Sequence, residues 1–453
     1  MVPFRRSAAL LAVLALYSSA ASADDVPSLR AALLGAGAQG LPAGDYALSA
    51  KASPQALEQA AVRYAEAMHG QRLRPGRWPA EWAIRPAPYD ARAALRTAET
   101  EGRVSAWLAE LTPPAPAYAA LLGALARYRA LADNGGWESL AEPVKPGAVG
   151  PAVAALRQRL AAEDASVTPG TAWDAALDAA VRRAQVRHGL AEDGVVGRAT
   201  LAALNVSAAE RGEQIAANLE RWRWMPRSPP VYRVELNIAD ASLALIEPGK
   251  APLAMRVVVG QPDKRTPMFQ DQIKAVVLNP PWVVPDDIAA KEIWPKIRKD
   301  PAYKDREGFV VRADGHLEQK PGPRCALGTI KFDLSNPFGV YLHDTPARSL
   351  FAQPNRALSH GCMRVEQPNA LAKRLLAGDS RWTPDAVDLA ILTGTTVRVP
   401  LKTPVPVIVA YWTAFVDADG TVEFRPDIYG WDRALQRRLA MSDAGYGPQP
   451  SVQ

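Results

Sequence analysis

One short segment, Ser359-His360-Gly361-Cys362-Met363-Arg364, gathers the residue types of a thiol active site. It contains one of the chain's two cysteines, and a second histidine, His343, precedes it. Cysteine attacks a carbonyl as the thiolate, so it needs a nearby base or positive charge, and the tetrahedral intermediate needs backbone N–H donors. Glycine beside the cysteine lets the backbone turn sharply and lets a substrate approach closely. The segment predicts a cysteine nucleophile, with a buried structural cysteine as the alternative.

The motif resembles that of a known family. His343-Asp344-Thr345 followed by Ser-His-Gly-Cys-x-Arg is similar to the signature of the L,D-transpeptidases of the YkuD type, bacterial enzymes that cross-link peptidoglycan stems through a cysteine thioester. Further segments resemble the large, multidomain branch of that family: Asn279–Pro285, Pro321–Gly328, Tyr341–Pro346 and Asp427–Gly430.

This resemblance implies a reaction. Cys362 attacks a tetrapeptide stem at the carbonyl of the L-centre of its third residue, a diamino acid, and D-Ala leaves. The side-chain amine of a second stem then resolves the thioester and makes a 3→3 cross-link. Acylation of Cys362 by carbapenems is also implied. No metal or cofactor is required, and the chain has no His-Glu-x-x-His motif.

Each residue of the site has an expected role. Cys362 is the nucleophile, and His343 takes its proton and later protonates the leaving amine. Asp344 orients His343 only through its backbone carbonyl, because neighbouring residues on a strand point to opposite faces. The other assignments are oxyanion donation by the N–H groups of Gly361 and Cys362, support of the loop or substrate by Ser359 and His360, and substrate binding by Tyr341, Asp344, Trp282 and Arg364. Arg364 either recognises a stem carboxylate or holds backbone carbonyls.

Several alternatives use the same Cys362 and His343. Water in place of the amine gives an L,D-carboxypeptidase, and other acceptors give lipoprotein attachment or a cross-link at another stem position. Only the geometry of the acceptor site separates them. A wall-binding scaffold with an inactive catalytic domain is the alternative outside enzymes, and the intact cysteine and histidine argue against it.

The N-terminus has the order of a secretory leader: Arg5 and Arg6, an apolar run from Ala8 to Tyr17, and the small residues Ala21-Ser22-Ala23. Cleavage after Ala23 is expected. No later segment is long and uncharged enough to span a bilayer. The sequence predicts an exported, periplasmic protein associated with the cell wall, without a transmembrane segment.

Composition limits the partners. Removing the leader takes away two of 53 basic residues and none of 47 acidic ones, which leaves a net charge of +4. No dense Lys/Arg run with interleaved aromatics suggests nucleic-acid binding. The expected partners are the donor tetrapeptide and the acceptor amine of peptidoglycan stems, with wall-synthesis proteins as further candidates. Because a nucleophilic Cys362 must be free, Cys325 is expected to be a small buried residue rather than a disulfide partner.

The helical half is expected to contain two domains. Residues 24–143 resemble a helical scaffold, with Leu57, Ala61, Tyr64 and Met68 on one helical face. Residues 144–206 resemble a three-helix peptidoglycan-binding domain, in which Ala184 stands where an aromatic is usual and Trp173 is a candidate to compensate. Residues 207–230 are expected to be a linker.

From Arg233 onward the apolar period changes to two, as in Val234, Leu236 and Ile238, which predicts half-buried strands. The fold class is therefore multidomain: a helical scaffold and a three-helix domain, then a mainly β catalytic domain over 231–401. The alternation lapses over 280–327, which is expected to be an insertion that caps the cleft and shields a thioester from water. C-terminal strands and a tail occupy 402–453. Cys362 is expected between a strand and the helix that opens with Pro368.

Overall fold

A computed structural model describes residues 25–417 and 419–443 of the chain. The expected signal peptide, residues 1–23, and the last part of the tail, 444–453, lie outside the described residues. The helices are α1 Asp25–Leu34, α2 Pro54–Met68, α3 Ala91–Thr100, α4 Val104–Glu110, α5 Pro116–Asp133, α6 Pro151–Ala161, α7 Ala175–Arg187, α8 Arg198–Leu204, α9 Ala208–Trp224, α10 Asp286–Ile288, α11 Trp294–Lys299, α12 Ala302–Arg306, α13 Pro368–Leu376, α14 Pro384–Leu392 and α15 Trp431–Asp443. Short 3₁₀ turns cover Gly35–Gln39, Ala43–Asp45 and Arg348–Ala352, and a π-helical turn covers Ala289–Ile293.

The strands are β1 Arg233–Asn237, β2 Ser242–Ile246, β3 Leu253–Gly260, β4 Phe269–Leu278, β5 Trp282–Val283, β6 Phe309–Val311, β7 Leu317–Gln319, β8 Ile330–Asp333, β9 Leu342–His343, β10 Ala357–Ser359, β11 Met363–Val365, β12 Val397–Ala410, β13 Ala414–Val416 and β14 Val422–Phe424. Among the helices within the described ranges, none combines the length and apolar character that crossing a membrane requires.

The described chain divides into two compact units. The first comprises residues 25–37, 41–69 and 88–112 and contains α1 to α4. Its core includes the α2 face that the sequence predicted, Leu57, Ala61, Tyr64 and Met68. Ser53 caps α2 by accepting a hydrogen bond from the amide of Ala56. This unit ends before the expected scaffold boundary at 143, because α5 packs its apolar face against α9 in the second unit.

Helices α6 to α8 form a three-helix bundle inside the second unit. Leu156, Leu160, Leu177 and Val181 are fully buried in its core, against which Trp173 packs. A buried polar cluster joins this bundle to α5 and α9. In that cluster the Tyr128 hydroxyl donates to Glu163 at 2.5 Å, Arg159 donates to Glu163 at 2.8 Å, and Arg211 lies 3.3 Å from Nδ1 of His188.

Helix α9 occupies most of the stretch expected to be a linker. Its first turn has a capping box, in which Ser207 and Glu210 satisfy each other's backbone amides. The side chain of Asn218 is fully buried and exchanges hydrogen bonds with Thr413, and Arg221 pairs with Asp432 of α15 at 2.5 Å. The segment is therefore a buried helix, because these polar contacts and its apolar face both find partners in the second unit.

The mainly β region has one large sheet in the order β10-β3-β11-β9-β8-β4-β12-β1-β2. Strand β2 also pairs with β3, so eight strands form a closed circuit and β10 pairs with the end of β3. Val234, Leu236 and Ile238 are fully buried, as their alternation predicted. Strand β12 continues to Ala410 through a register shift between Pro400 and Val405. The expected domain boundary at 401 thus falls within one strand.

The segment between β4 and β8 builds a separate layer, here called the cap, over residues 282–319. It contains the three-stranded sheet β5-β7-β6, helices α10 to α12 and the π-helical turn. Its own small core consists of Val284, Ala289, Ile293, Phe309 and Leu317.

Candidate active site

Cys362 lies in a tight loop between β10 and β11. The sequence placed it between a strand and a helix, and this was wrong: α13 begins only at Pro368, after the three-residue strand β11, which is too short to show an apolar period. Gly361 has a backbone φ of +110°, and a Cβ there would lie 3.4 Å from the carbonyl oxygen of Arg265. Both the dihedral angle and the close approach favour glycine at this position.

Ser359 closes this loop on itself. Its hydroxyl donates to the carbonyl of Cys362 at 2.6 Å and accepts from the amide of Gly361 at 3.1 Å. Gly361 was one of two expected oxyanion donors, but its N–H is used inside the loop. The amide of Cys362 is the expected donor that Ser359 leaves unoccupied.

Tyr341 lies next to the thiol of Cys362. Tyr341 interacts with the thiol through both its backbone N–H and its hydroxyl, and the side chain of Trp282 interacts with the same hydroxyl. Burial raises the pKa of the Cys362 thiol, while the Tyr341 hydrogen bonds and the charges of Lys331 and Arg364 act in the opposite direction. At rest, the sulfur is therefore predominantly a thiol.

His343 is buried on the strand next to β11. Tyr341 and His343 are two positions apart, so they lie on the same face, and their rings are 5.6 Å apart between centroids. The Nδ1 atom of His343 is 2.6 Å from the carbonyl oxygen of Asp344, so Nδ1 carries the proton and Nε2 keeps its lone pair. Burial, with the charges of Arg364 and Lys331, lowers the pKa of His343 to about 3. The imidazole is thus neutral at neutral pH.

The carboxylate of Asp344 forms its hydrogen bonds with residues other than His343. It accepts hydrogen bonds from the amide and hydroxyl of Thr329 at 2.9 and 3.0 Å, and Arg348 donates to it at 3.1 Å. A cavity of about 700 Å³ borders Asp344 and extends to the start of α13, but Cys362 is not among its lining residues. In this structure Asp344 is a supporting residue, held by protein groups.

Two cations lie near the reacting groups. Arg364 acts electrostatically on both Cys362 and His343, and its buried Nε atom has no hydrogen-bond partner among the described residues. Lys331 pairs across the sheet with His343, and its ammonium lies 4.5 Å from the centre of the Tyr341 ring. Lys331 could not be identified from the sequence, because an isolated lysine on a short strand carries no motif.

The cap contacts the nucleophile loop and the loop between β3 and β4 through paired polar side chains. Nε2 of His360 is 2.6 Å from the carboxylate of Glu292, in the π-helical turn, and Lys264 is 3.5 Å from Asp287. The His360 side chain therefore contacts the cap. This contact agrees with support of the loop, which is one of the two roles expected for His360. Nothing in the sequence pairs these residues, which are distant along the chain.

Cys325 is a buried free cysteine. Both cysteines are free thiols, and the Cys325 sulfur donates to the carbonyl of Pro280 at 3.4 Å. Burial raises the pKa of the Cys325 thiol. These features suit a structural residue better than a nucleophile.

Comparison with known families gives three matches. Residues 231–407 match the L,D-transpeptidase catalytic domain, residues 14–125 match a scaffold domain, and residues 149–204 match a "Putative peptidoglycan binding domain". A curated relative, the "Putative L,D-transpeptidase" of Haemophilus influenzae, is 33% identical over 243 residues, which cover 49% of this chain and 49% of the relative. The chain thus spans about half the length of that relative.

Solved structures with similarity include an L,D-transpeptidase (residues 123–326) from Xylanimonas cellulosilytica, with 20% identity, a TM-score of 0.21, and coverage of 60% of this chain and 99% of that one. Another is an L,D-transpeptidase from Mycobacterium smegmatis, with 16% identity, a TM-score of 0.22, and coverage of 40% of this chain and 58% of that one. These TM-scores are too low for the overlays to bear on the site.

Proposed function

We propose that this protein, whose residues 231–407 match the L,D-transpeptidase catalytic domain, is a peptidoglycan L,D-transpeptidase that forms 3→3 cross-links through a thioester on Cys362. One observation carries the proposal. Tyr341 interacts with the Cys362 thiol, and on the same face as Tyr341 the neutral His343 ring has its Nδ1 held by the Asp344 carbonyl, which leaves Nε2 as the basic nitrogen. A thiol beside a neutral, oriented base is the arrangement that acyl transfer requires.

The first half-reaction acylates the enzyme. The Nε2 atom of His343 takes the Cys362 proton as the sulfur bonds to the carbonyl carbon of the third stem residue. The resulting oxyanion is stabilised by the Cys362 amide and the Tyr341 hydroxyl. The carbon–nitrogen bond to D-Ala breaks, and the departing amine takes the proton from His343.

The second half-reaction releases the product. The side-chain amine of an acceptor stem attacks the thioester carbonyl and gives a proton to His343. The carbon–sulfur bond breaks, and the sulfur recovers that proton as the thiol. Water attacking the same carbonyl gives the tripeptide instead, so exclusion of water by the cap favours cross-linking.

Arg364 is proposed to bind a carboxylate of the donor stem. Its buried Nε has no hydrogen-bond partner among the described residues, and a carboxylate of the ligand would supply a charge-assisted one. Arg364→Met is expected to raise KM by about tenfold or more, since a charge-assisted hydrogen bond contributes about 1.5–3 kcal/mol. Arg364→Lys should recover part of that loss. Unchanged KM in both variants would assign Arg364 to the loop backbone.

The experiment that tests the function is intact-mass and product analysis with a tetrapeptide-containing muropeptide. The proposal predicts a Cys362 adduct that has lost D-Ala, followed by a cross-linked dimer. Tripeptide alone would identify an L,D-carboxypeptidase, and a product formed only with a lipoprotein acceptor would identify an attachment enzyme. No product, with Cys362 still alkylated by iodoacetamide, would overturn the proposal.

Work on the wall also requires export, and the leader places cleavage after Ala23. N-terminal sequencing of the protein from the periplasm is expected to begin at Asp24. A mature protein that begins at Met1 would contradict this part of the proposal.

A further inference from the structure

The segment Asp427–Gly430 lies beyond the part of the chain that matches the catalytic domain, yet it reaches the nucleophile loop. The Tyr429 hydroxyl donates to the carbonyl of Gly260 at 2.5 Å and accepts from the amide of Thr266 at 3.2 Å. Tyr429 is buried, and its own amide donates to the hydroxyl of Tyr411 at 3.1 Å. The Tyr411 hydroxyl in turn donates to Asp427.

Thr266 continues this chain of contacts to the active site. Its side chain is fully buried, accepts from the amide of Gly260 at 2.9 Å and donates to the carbonyl of Gly361 at 2.8 Å. A Cβ on Gly260 would lie 2.1 Å from the carbonyl oxygen of Lys264, so this approach also depends on glycine. Every hydrogen-bonding group of the two hydroxyls is satisfied.

The hydrogen bond from Thr266 to the Gly361 carbonyl also fixes the orientation of the N–H group in the same peptide. The C=O of Gly361 and the N–H of Cys362 belong to one planar trans peptide, so they point in opposite directions. Holding the oxygen therefore sets the direction of the N–H. That N–H is the expected oxyanion donor which Ser359 leaves unoccupied.

We propose that Thr266, held by Tyr429, is a positioning residue that aims the Cys362 amide at the oxyanion of the acylation step. The inference rests on the proposed acyl-transfer function. Neither residue touches the substrate. Both act by preorganising a donor before charge develops, which is where an oxyanion donor gains its effect.

The test compares two reactions of the same sulfur. Acylation by a carbapenem forms the sulfur–carbonyl bond through an oxyanion, breaks the lactam C–N bond and protonates the ring nitrogen. Alkylation by iodoacetamide displaces iodide and forms no oxyanion. Thr266→Val keeps the shape of the side chain and removes the hydroxyl, whereas Thr266→Ser keeps the hydroxyl.

We expect Thr266→Val to lower the acylation rate constant by about 10- to 100-fold, somewhat less than the loss of a whole oxyanion donor. Alkylation should stay within about twofold, and Thr266→Ser should acylate within about threefold of the unmodified protein. Tyr429→Phe should lower acylation in the same direction but by less, because Thr266 keeps both of its own hydroxyl bonds.

Thr413→Val is the matched control. Thr413 is equally buried and donates to Asp432, away from the nucleophile loop, so this variant should lose thermal stability without a selective loss of acylation. If Thr266→Val slows both reactions equally, or leaves acylation unchanged, the inference is overturned.

Hydrogen exchange separates failure of this inference from failure of the proposed function. Amides of residues 359–364 should exchange faster in Thr266→Val than in Thr413→Val, whatever electrophile the protein accepts. Unchanged exchange would remove the positioning role. If carbapenem does not acylate the unmodified protein but iodoacetamide alkylates it, the transpeptidase function fails, and faster exchange would still support the contact between Thr266 and the loop.

Discussion

At the level of single residues, Cys362 and His343 both have pKa shifts that favour their neutral forms. Burial raises the pKa of the thiol, and burial with two nearby cations lowers the pKa of the imidazole to about 3. Both shifts disfavour a preformed thiolate–imidazolium pair. The proton is expected to move only as the carbonyl is attacked.

The first prediction concerns which cysteine reacts. Cys362→Ala and Cys362→Ser should both abolish acylation and leave the fold intact, because a serine hydroxyl is far less acidic than the thiol that His343 serves. Cys325→Ala is the matched control and should keep its activity, since that buried thiol donates to the carbonyl of Pro280 and has no role in the proposed reaction. Intact mass after carbapenem treatment measures both. Activity in the Cys362 variants with loss in Cys325→Ala would reverse the assignment.

The second prediction concerns pH. Because the thiol pKa is raised, the thiolate fraction grows about tenfold per pH unit up to that pKa, so alkylation of Cys362 by iodoacetamide should still rise with pH at pH 9. The imidazole stays neutral over this whole range. Rates measured from pH 5 to 10 in the Cys325→Ala background report Cys362 alone. A plateau below pH 7 would instead indicate a thiolate–imidazolium pair.

The sequence predicted these residues better than it predicted their surroundings. Cys362, His343 and the carbonyl contact of Asp344 follow from a motif and from the alternation of side chains on a strand. The hydrogen bond from the Gly361 amide to Ser359 depends on how one loop closes. The position of Lys331 next to His343 depends on how the strands pair. No local pattern in the sequence predicts either of these features.

At the level of elements, the cap has its own apolar core, and it contacts the nucleophile loop through Glu292 and His360 and the loop between β3 and β4 through Asp287 and Lys264. The cap contact through Glu292 originates in a π-helical turn. Such turns are frequent at functional sites. The cap is therefore a layer with its own core and weak attachment at this point, which suits a part that opens for substrate.

The third prediction follows from this attachment. Glu292→Gln removes the ion pair to His360 and should lower the ratio of cross-linked dimer to tripeptide by about two- to fivefold, because such a pair contributes about 0.2–1 kcal/mol. Asp300→Asn is the matched control: it removes the ion pair with Arg306 inside the cap and should leave the ratio unchanged. Chromatography of muropeptide products measures the ratio. If the ratio of dimer to tripeptide is the same in both variants, the prediction that the cap excludes water is wrong.

Element boundaries were the least predictable part of the fold. The strands β1 to β4 and the cores of α2, α6 and α7 follow from apolar periodicity. Helix α9 did not, because its sequence mixes tryptophans with buried arginines; Arg223 pairs with Glu220 in the same helix, whereas Arg221 pairs with the distant Asp432. Strand β12 was split in two by its prolines, which the register shift accommodates.

At the level of the second unit, the three-helix bundle is tied to α5 and α9 through buried titratable groups. His188 accepts from Arg211 and faces Glu163 at 3.8 Å. Burial lowers the pKa of His188 to about 4. The region that matches a peptidoglycan-binding domain is thus held in place by contacts of a buried histidine whose protonation the fold disfavours.

The fourth prediction gives the sign of that dependence. The unfolded chain binds a proton at His188 below about pH 6.5, whereas the folded chain does so only below about pH 4. Stability should therefore fall as pH drops from 6.5 to 4, by about 3 kcal/mol from this group. Melting temperatures across this range should show a shallower slope in His188→Gln. His316→Gln, at a half-exposed position in the cap, should keep the original slope, and an unchanged slope in His188→Gln would contradict the prediction.

The reach of Tyr429 into the nucleophile loop has a practical consequence for how the enzyme can be divided. A fragment cut at residue 407, where the match to the catalytic domain stops, would retain Cys362, His343 and Tyr341 but lose the hydroxyl that holds the amide of Thr266. It would also cut β12 before its end at Ala410. Such a fragment should keep a reactive sulfur and acylate poorly. The working unit of catalysis is therefore longer than the region that sequence similarity outlines, and inhibitor screens would need the chain through α15.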